Sequence, residues 1–222
     1  SSYDPWYFVM KAKFFSEFLG TAFLVMIVLG SGIMGQNLFQ DQAGLALLAN
    51  SLATGAGLFV LIQCLGPISG AHMNPAVSLV EVLWGQLDKK PLPIYLLAQF
   101  LGAYLGVILS HLMFDLPVFQ ISTIDRSGSH LLIAEVIATF GLICVVALAG
   151  KKHMEFAPLS VASYITSAYW FTSSTSFSNP AVTFARIFTN SFGGMSPIHL
   201  LAFVSAQIFG ALVAWFLLNR IK

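Results

Sequence analysis

The four-residue sequence Asn-Pro-Ala-Val occurs twice in this chain, at residues 74–77 and again at residues 179–182. Both copies lie within sequence that is otherwise almost continuously apolar. A lipid bilayer tolerates non-helical polar backbone at its centre only where that backbone is buried in protein or lines a cavity. Two breaks of this kind, in corresponding positions of two halves, are typical of a polar path built from discontinuous helices. The repeated box therefore constrains the fold more than any other feature of the chain.

Composition places the chain among the helical membrane proteins. Of its 222 residues, 9% are charged and 57% are hydrophobic, and the mean hydropathy is +0.83. Soluble domains carry about 25% charged residues, so this chain has too few to cover a surface in water. We expect an all-α protein in contact with the lipid bilayer. The net charge of +1 gives no reason to expect a nucleic-acid partner. No nucleophile–base arrangement or metal-ligand spacing points to an enzyme, a metal site or a cofactor.

Apolar stretches long enough to cross a bilayer, roughly 20 residues each, predict six transmembrane helices. They lie near residues 13–35, 45–66, 93–114, 131–150, 159–177 and 197–219. Two further apolar stretches, about 75–85 and 180–190, are too short to cross, and each begins at the proline of a box. Proline is favoured at the first position of a helix, because its missing N–H would have no partner there. The sequence therefore predicts two half-helices that begin inside the membrane at Pro75 and Pro180.

The basic residues predict the orientation. Of the 10 Lys and Arg residues, all but Arg126 and Arg186 fall on one side of a six-span layout. Lys and Arg accumulate on the cytoplasmic side of membranes, so both termini are predicted to be cytoplasmic. The two half-helices then enter from opposite sides and meet N-terminus to N-terminus. This arrangement is an inverted repeat of about residues 13–114 and 131–219 within a single channel domain.

Two opposed helix N-termini have a defined electrostatic effect. Each carries unpaired N–H groups and a partial positive charge of about half an elementary unit. Together they repel protons and metal cations at the midplane, while side-chain amides offer donors to a solute oxygen. The residues predicted to act in this way are those of the boxes: Asn74, Pro75, Ala76, Asn179, Pro180 and Ala181. Backbone carbonyls of the unwound segments before the boxes are predicted to line the pore: Gly70, Ala71, His72, Met73, Thr175, Ser176, Phe177 and Ser178.

The segments SGAHMNPAVSL and SFSNPAVTFAR resemble the paired loops of the aquaporin and aquaglyceroporin (major intrinsic protein) family. The resemblance covers nearly the whole chain. It implies six transmembrane helices with two re-entrant half-helices, and a passive channel with one pore in each subunit of a homotetramer. Family members use carboxylates at the positions of Glu17 and Glu135 to accept hydrogen bonds from the re-entrant loops. A carboxylate inside the membrane is also a candidate for proton relay, and both roles stay open here.

The resemblance also indicates which residues form the narrowest part of the pore. In strictly water-conducting members an arginine follows the second box, and here that residue is Val182. Counting back from the boxes, with no insertions assumed, adds Thr54, Ser167 and Ser176 to the same ring. Such a selectivity filter is small, uncharged and rich in hydroxyl groups, so we expect it to be wider than a water-only filter. It is most similar to a bacterial subgroup, of the arsenite-permeable type, that carries the same Val.

Arg186 lies one helical turn beyond Val182 on the same face of the predicted half-helix. Three roles are compatible with the sequence: a positive charge in the outer vestibule, an ion pair with Asp125, or exposure to extracellular water. Neighbouring aromatic side chains are further candidates for narrowing the pore: Tyr169, Trp170 and Phe177.

We therefore expect a passive channel for water and small neutral solutes such as glycerol, urea and arsenite-type metalloid acids, in a bacterial cytoplasmic membrane. A water-selective channel whose neck is narrowed by aromatic residues is an alternative. A secondary transporter with its binding site at the midplane is a second alternative, and a structural junction protein with a closed pore is a third.

Overall fold

The computed structural model describes residues 5–152 and 154–220. This part of the chain is all-helical, as predicted. The helices are α1 (Pro5–Leu38), α2 (Ala43–Ser69), α3 (Pro75–Leu83), α4 (Leu92–Met113), α5 (Ser129–Lys152), α6 (Ala157–Phe171), α7 (Pro180–Arg186) and α8 (Leu200–Leu218). Short 3-10 turns at Met154–Phe156 and Pro197–His199 precede α6 and α8.

Five of the described helices are long and apolar enough to cross a membrane, namely α1, α2, α4, α5 and α8. The chain is therefore a multi-pass membrane protein. The fifth predicted span, 159–177, extends beyond the helix that the structure shows there. Helix α6 has 15 residues, about 23 Å at the rise of an α-helix. It ends because Thr172 adopts extended backbone, and the chain then continues without helix to the second box.

Glycines let the long helices approach closely in pairs. Helix α4 packs on α1 at Gly102, where an added Cβ would overlap the carbonyl oxygen of Phe18. Helix α8 packs on α5 at Gly210, where an added Cβ would overlap the carbonyl oxygen of Val136. Small residues at such crossings allow the close backbone contact on which helix association in membranes depends. The helix pairs α1–α4 and α5–α8 thereby place one polar side chain of each helix beside the re-entrant loops.

Both half-helices begin at the proline of a box, as predicted, and the preceding asparagine caps each of them. The Oδ1 atom of Asn74 accepts from the backbone N–H of Ala76 at 2.9 Å. The Oδ1 atom of Asn179 accepts from the backbone N–H of Ala181 at 2.9 Å and from that of Val182 at 3.3 Å. Asparagine is among the best N-capping residues because its side-chain oxygen satisfies these first, otherwise unpaired N–H groups. Helix α7 is shorter than the predicted 180–190, since it ends at Arg186.

Candidate pore

The two boxes meet through their asparagine side chains. The Nδ2 atom of Asn74 donates to the carbonyl oxygen of Ser178 at 2.8 Å. The Nδ2 atom of Asn179 donates to the carbonyl oxygen of Met73 at 2.7 Å. Each bond joins one box to the residue that immediately precedes the other. An amide NH2 group has two N–H donors, so each asparagine keeps a second donor after making this bond.

A cavity of about 310 Å³ runs past both asparagines. The predicted lining residues of the first loop border it: Gly70, Ala71, His72 and Met73. Three residues of the second loop border it as well: Ser176, Phe177 and Ser178. Thr175, the remaining predicted residue of this loop, is placed differently. Its backbone N–H closes a turn onto the carbonyl of Thr172, and the residue does not border the cavity.

The backbone of the two loops is strained at matching positions. Ala71 and Met73 have φ angles of 49° and 48°, and Ser176 and Ser178 have φ angles of 52° and 46°. These residues stand three and one positions before the asparagine of each box. The left-handed conformation costs a non-glycine residue about 1–2 kcal/mol, and such strain persists only where surrounding contacts impose it. Those contacts come from the two buried glutamates.

Glu17 holds the first loop. Its Oε1 atom accepts from the backbone N–H of His72 at 2.9 Å and from the Ser69 hydroxyl at 2.7 Å. Its Oε2 atom accepts from the backbone N–H of Met73 at 2.7 Å and from Nε2 of Gln99 at 2.8 Å. The carboxylate is fully buried, and each of its oxygens serves two donors. A proton relay would need a proton on an oxygen that is already occupied in this way.

Glu135 does the same for the second loop. Its Oε1 atom accepts from the backbone N–H of Phe177 at 2.9 Å. Its Oε2 atom accepts from the backbone N–H of Ser178 at 2.9 Å and from Nε2 of Gln207 at 2.7 Å. Gln207 of α8 thus corresponds to Gln99 of α4. Both glutamates bond the two backbone N–H groups that immediately precede the asparagine of their box.

His72 packs against neighbouring side chains and also borders the cavity. Its Nδ1 atom lies 2.9 Å from the Ser78 hydroxyl, and its ring lies against that of Tyr95, with the centroids 5.2 Å apart. His72 also borders the cavity. In the described residues no group of three His, Cys, Asp or Glu side chains lies close enough to hold a metal ion.

The cavity is bordered by Thr54, Tyr169, Val182 and Arg186, a group that we call the neck. The Thr54 hydroxyl lies 3.1 Å from that of Tyr169, so α2 and α6 are joined across one side of the neck. Ser176 borders the cavity too, with its hydroxyl 2.8 Å from that of Ser178.

The assignment of Ser167 to the neck is wrong. This residue is exposed on α6, and its hydroxyl donates to the carbonyl of Tyr164 at 2.7 Å. The cavity face of α6 instead carries Val161, Ile165 and Tyr169 at four-residue intervals. A residue two positions from Ile165 lies on the far side of a helix with 3.6 residues per turn. The count from the second box therefore indicated Ser167, whereas the residue of α6 that borders the cavity here is Tyr169, one of the aromatic candidates named from the sequence.

Arg186 lines the neck, and two of the three roles considered for it are wrong. The residue is only 4% exposed, so it does not face water. The Asp125 carboxylate lies 2.8 Å from Nε2 of His199 and forms no ion pair with Arg186 among the described residues. The Nη1 atom of Arg186 donates to the carbonyl of Gly193 at 2.8 Å, and its guanidinium carbon lies 3.9 Å from the centroid of the Phe177 ring. Such a position over an aromatic face is favourable for a cation.

Two other side chains near the neck have distinct environments. Trp170 is exposed on α6 and donates from Nε1 to the Ser51 hydroxyl at 3.0 Å, so it does not narrow the cavity. Arg126, in the loop before α5, lies 4.9 Å from the Phe177 ring centroid and donates from Nε to the carbonyl of Gly194. Burial, together with the neighbouring charge of Arg186, lowers the pKa of Arg126 to about 10.

The side of the cavity opposite the loops is apolar, which the sequence did not indicate. Helices α1, α2, α5 and α6 contribute its side chains, among them Leu24, Leu58, Leu142 and Ile165. The cavity is therefore amphipathic. Carbonyl oxygens and amide donors lie along one side, and aliphatic side chains lie along the other. A solute that carries both hydroxyl groups and carbon can satisfy both sides together.

Comparison with known proteins agrees with this geometry. The family model described as Major intrinsic protein matches residues 6–176. Aquaglyceroporin AqpS from Rhizobium meliloti is 49% identical over 93% of this chain and 88% of its own length. Aquaporin NIP2-3 from Zea mays is 34% identical over 90% of this chain and 68% of its own length. The X-ray structure of the aquaglyceroporin from Plasmodium falciparum superposes with a TM-score of 0.69, covering 93% of this chain and 94% of that one at 22% identity. The chain belongs to the major intrinsic protein family.

Proposed function

We propose that this chain is a passive transmembrane channel for water and small neutral solutes. The single observation that carries the proposal is the pair of crossed bonds between the boxes, Asn74 to Ser178 and Asn179 to Met73, beside a cavity. These bonds hold two helix N-termini against each other at the centre of the molecule. The partial positive charges of both ends repel cations there.

The lining suggests which solutes pass. The loop carbonyls accept hydrogen bonds, the second amide N–H groups of Asn74 and Asn179 donate them, and the opposite side offers aliphatic contact. We propose water, glycerol, urea and neutral metalloid acids of the arsenious type as the solutes. Each is small, uncharged and able to donate and accept hydrogen bonds. The relatives named aquaglyceroporin and aquaporin support this class of function.

Val182 is the residue on which the proposed width depends. It is buried at the neck and contributes an aliphatic side chain where strict water channels of the family carry arginine. We propose that this leaves a wider neck than theirs. The contacts of Tyr169 and Arg186 across the same region favour one alternative, a neck that admits water alone.

Solute and water fluxes of a Val182→Arg variant distinguish these two possibilities. Purified protein is reconstituted into liposomes, and shrinkage and re-swelling are followed by stopped-flow light scattering in sucrose, glycerol or urea. We expect Val182→Arg to lower glycerol and urea flux more than water flux, and Val182→Ile, which adds bulk without charge, to have a smaller effect. If the wild type passes water but neither glycerol nor urea, the water-selective alternative holds. Equal loss of all fluxes in Val182→Arg would contradict the role assigned to Val182.

Assembly and orientation complete the proposal. We propose a homotetramer in a bacterial cytoplasmic membrane, with one pore in each subunit, both termini in the cytoplasm and the neck facing outward. The basic residues on one side of the predicted topology support the orientation. Chemical crosslinking in native membranes tests the tetramer, and cysteine-accessibility labelling at the exposed Asp88 and Ser127 loops tests the sidedness.

A further inference from the structure

We infer that Arg186 is the cation-excluding selectivity residue of this pore, and that Gly193 and Phe177 position it. Arg186 lies one helical turn beyond Val182, the position at which strict water channels of the family carry arginine. The inference rests on the proposed function, because it assigns the selectivity of the same pore. The neck therefore keeps a positive charge although Val182 stands where strict water channels carry arginine, because the charge comes from Arg186 instead.

Helix geometry brings the two positions to one level. Val182 and Arg186 are four residues apart and both border the cavity, so they share one face of α7. Side chains of a helix point back toward its N-terminus, and a long side chain covers the turn that precedes its own Cα. The guanidinium of Arg186 therefore extends over the turn that carries Val182.

Three groups hold the guanidinium in place. The Gly193 carbonyl accepts from Nη1 at 2.8 Å, the Phe177 ring lies 3.9 Å from the guanidinium carbon, and the Tyr169 hydroxyl interacts with the same group. Gly193 permits this approach, since a Cβ there would lie 3.1 Å from Nη1 of Arg186 and 3.0 Å from Cδ2 of Leu29. These contacts hold the Arg186 side chain in one position, away from solvent.

The charge of Arg186 lacks the partner that a purely structural arginine has. Buried charges are ordinarily paired with an opposite charge. Among the described residues no carboxylate forms an ion pair with Arg186, and its Nε atom has no hydrogen-bond partner. Glu135 attracts it from a distance, but both oxygens of that carboxylate bond the second loop. Arg126 adds a second positive charge nearby.

An unpaired cation beside the cavity has a direct effect on permeation. It raises the electrostatic energy of any cation that enters the neck, and a medium of low dielectric strengthens this repulsion. It also offers N–H donors to a solute oxygen. The solutes that suit the neck are therefore uncharged molecules with an accessible acceptor, whereas ammonium-type cations of similar size are excluded.

The test compares single replacements with an exchange of the two residues. Arg186→Val removes the charge, and the double variant Val182→Arg, Arg186→Val moves it back by one turn. Arg220→Val is the matched control, because Arg220 also lies over a phenylalanine ring, that of Phe216, 4.8 Å from its centroid and away from the cavity. Each protein is reconstituted, and water, glycerol and methylammonium fluxes are measured together, with monodispersity and thermal midpoint as controls for folding.

We expect Arg186→Val to raise the ratio of glycerol to water flux severalfold and to raise methylammonium flux above that of the wild type, although the half-helix N-termini still repel cations. The double variant should exclude methylammonium again, and Arg220→Val should match the wild type. If Arg186→Val does not fold, Arg186→Lys replaces it. Lysine keeps the charge without the planar fork that Gly193 and Phe177 hold, so methylammonium should stay excluded while the glycerol-to-water ratio changes.

Unchanged methylammonium exclusion and an unchanged flux ratio in a folded Arg186→Val protein would overturn this inference and leave the channel intact. The inference would also be overturned if Arg186→Lys changed the glycerol-to-water flux ratio and let methylammonium through. The positive charge would then not be what excludes cations. A wild-type protein without water flux would instead overturn the proposed function, and with it this assignment.

Discussion

The side-chain amide of Asn179 donates to the carbonyl oxygen of Met73 at 2.7 Å, although the two residues are 106 positions apart in the chain. This hydrogen bond and its counterpart from Asn74 to Ser178 keep the two half-helices end to end. Replacing the amide of Asn179 removes this bond.

Asn179→Asp retains the capping oxygen of α7 but replaces the amide donor with a second acceptor. That acceptor would face the Met73 carbonyl, so we expect the free energy of unfolding to fall by about 1–3 kcal/mol, the range for a buried polar group left without a partner. Water flux should fall with it, because the carboxylate is repelled by the Met73 carbonyl and the two boxes beside the cavity then shift apart. Thermal unfolding in detergent and stopped-flow scattering measure the two effects. Asn219→Asp is the control, since its Oδ1 only accepts from Nε1 of Trp84 at an exposed site, and both properties should be retained.

Glu135→Gln tests whether the buried glutamates position the loops. The substitution turns one acceptor oxygen into a donor that faces a backbone N–H of Phe177 or Ser178, or the amide of Gln207. We expect a loss of about 1–3 kcal/mol in stability and a decrease of water flux at every pH from 5 to 8, since no proton transfer is involved. A normal thermal midpoint together with a flux that follows pH only in the wild type would instead support a proton relay. Asp88→Asn, at an exposed position, is the matched loss of charge and should change neither quantity.

Tyr169→Ala and Ser167→Ala together test which face of α6 borders the neck. Tyr169 is buried and bonds Thr54 across the cavity, whereas Ser167 is exposed and bonds its own helix. We expect Tyr169→Ala to widen the neck and raise glycerol flux relative to water, and Ser167→Ala to leave all fluxes unchanged. The opposite pattern, with an effect at Ser167 alone, would restore the ring that was predicted from counting.

Gly210→Ala should separate α8 from α5. Its Cβ would overlap the Val136 carbonyl oxygen, which belongs to a helix and cannot give way without a shift of backbone. Overpacking of this kind costs about 1–3 kcal/mol, and the shift should also displace Gln207 from Glu135 and reduce water flux. Gly44→Ala is the control, because nothing lies within 4 Å of its added Cβ. An equal thermal midpoint for both variants would contradict the close packing at Gly210.

Much of this fold could be predicted from the sequence because its strongest signals are local. Apolar length indicates spans, and an Asn-Pro pair combines a capping side chain with a residue suited only to the first turn, so the starts of α3 and α7 were correct. The glutamate pair was recognisable as well, since a carboxylate inside an apolar span is rare. Its bonding partners were implied by the family resemblance and not by the spacing of the residues.

The neck could not be derived in the same way, because its members belong to elements joined by irregular segments. Counting from Asn179 to Ser167 crosses residues 172–178, where the chain is not helical and one residue does not advance a fixed angle. The location of Arg186 depended on side-chain direction and on a glycine, Gly193, that lies beyond the half-helix. Neither is visible as a pattern in the sequence, although four-residue spacing placed Arg186 on the correct face.

The temperature dependence of water flux tests the central claim most directly, namely that opposed half-helices enclose an open, passive path. Proteoliposomes that contain the wild-type chain should shrink far faster than empty liposomes under an osmotic gradient. Their rate should depend only weakly on temperature and should not change when proton and sodium gradients are dissipated. A rate equal to that of empty liposomes, or solute accumulation that requires an ion gradient, would contradict the account.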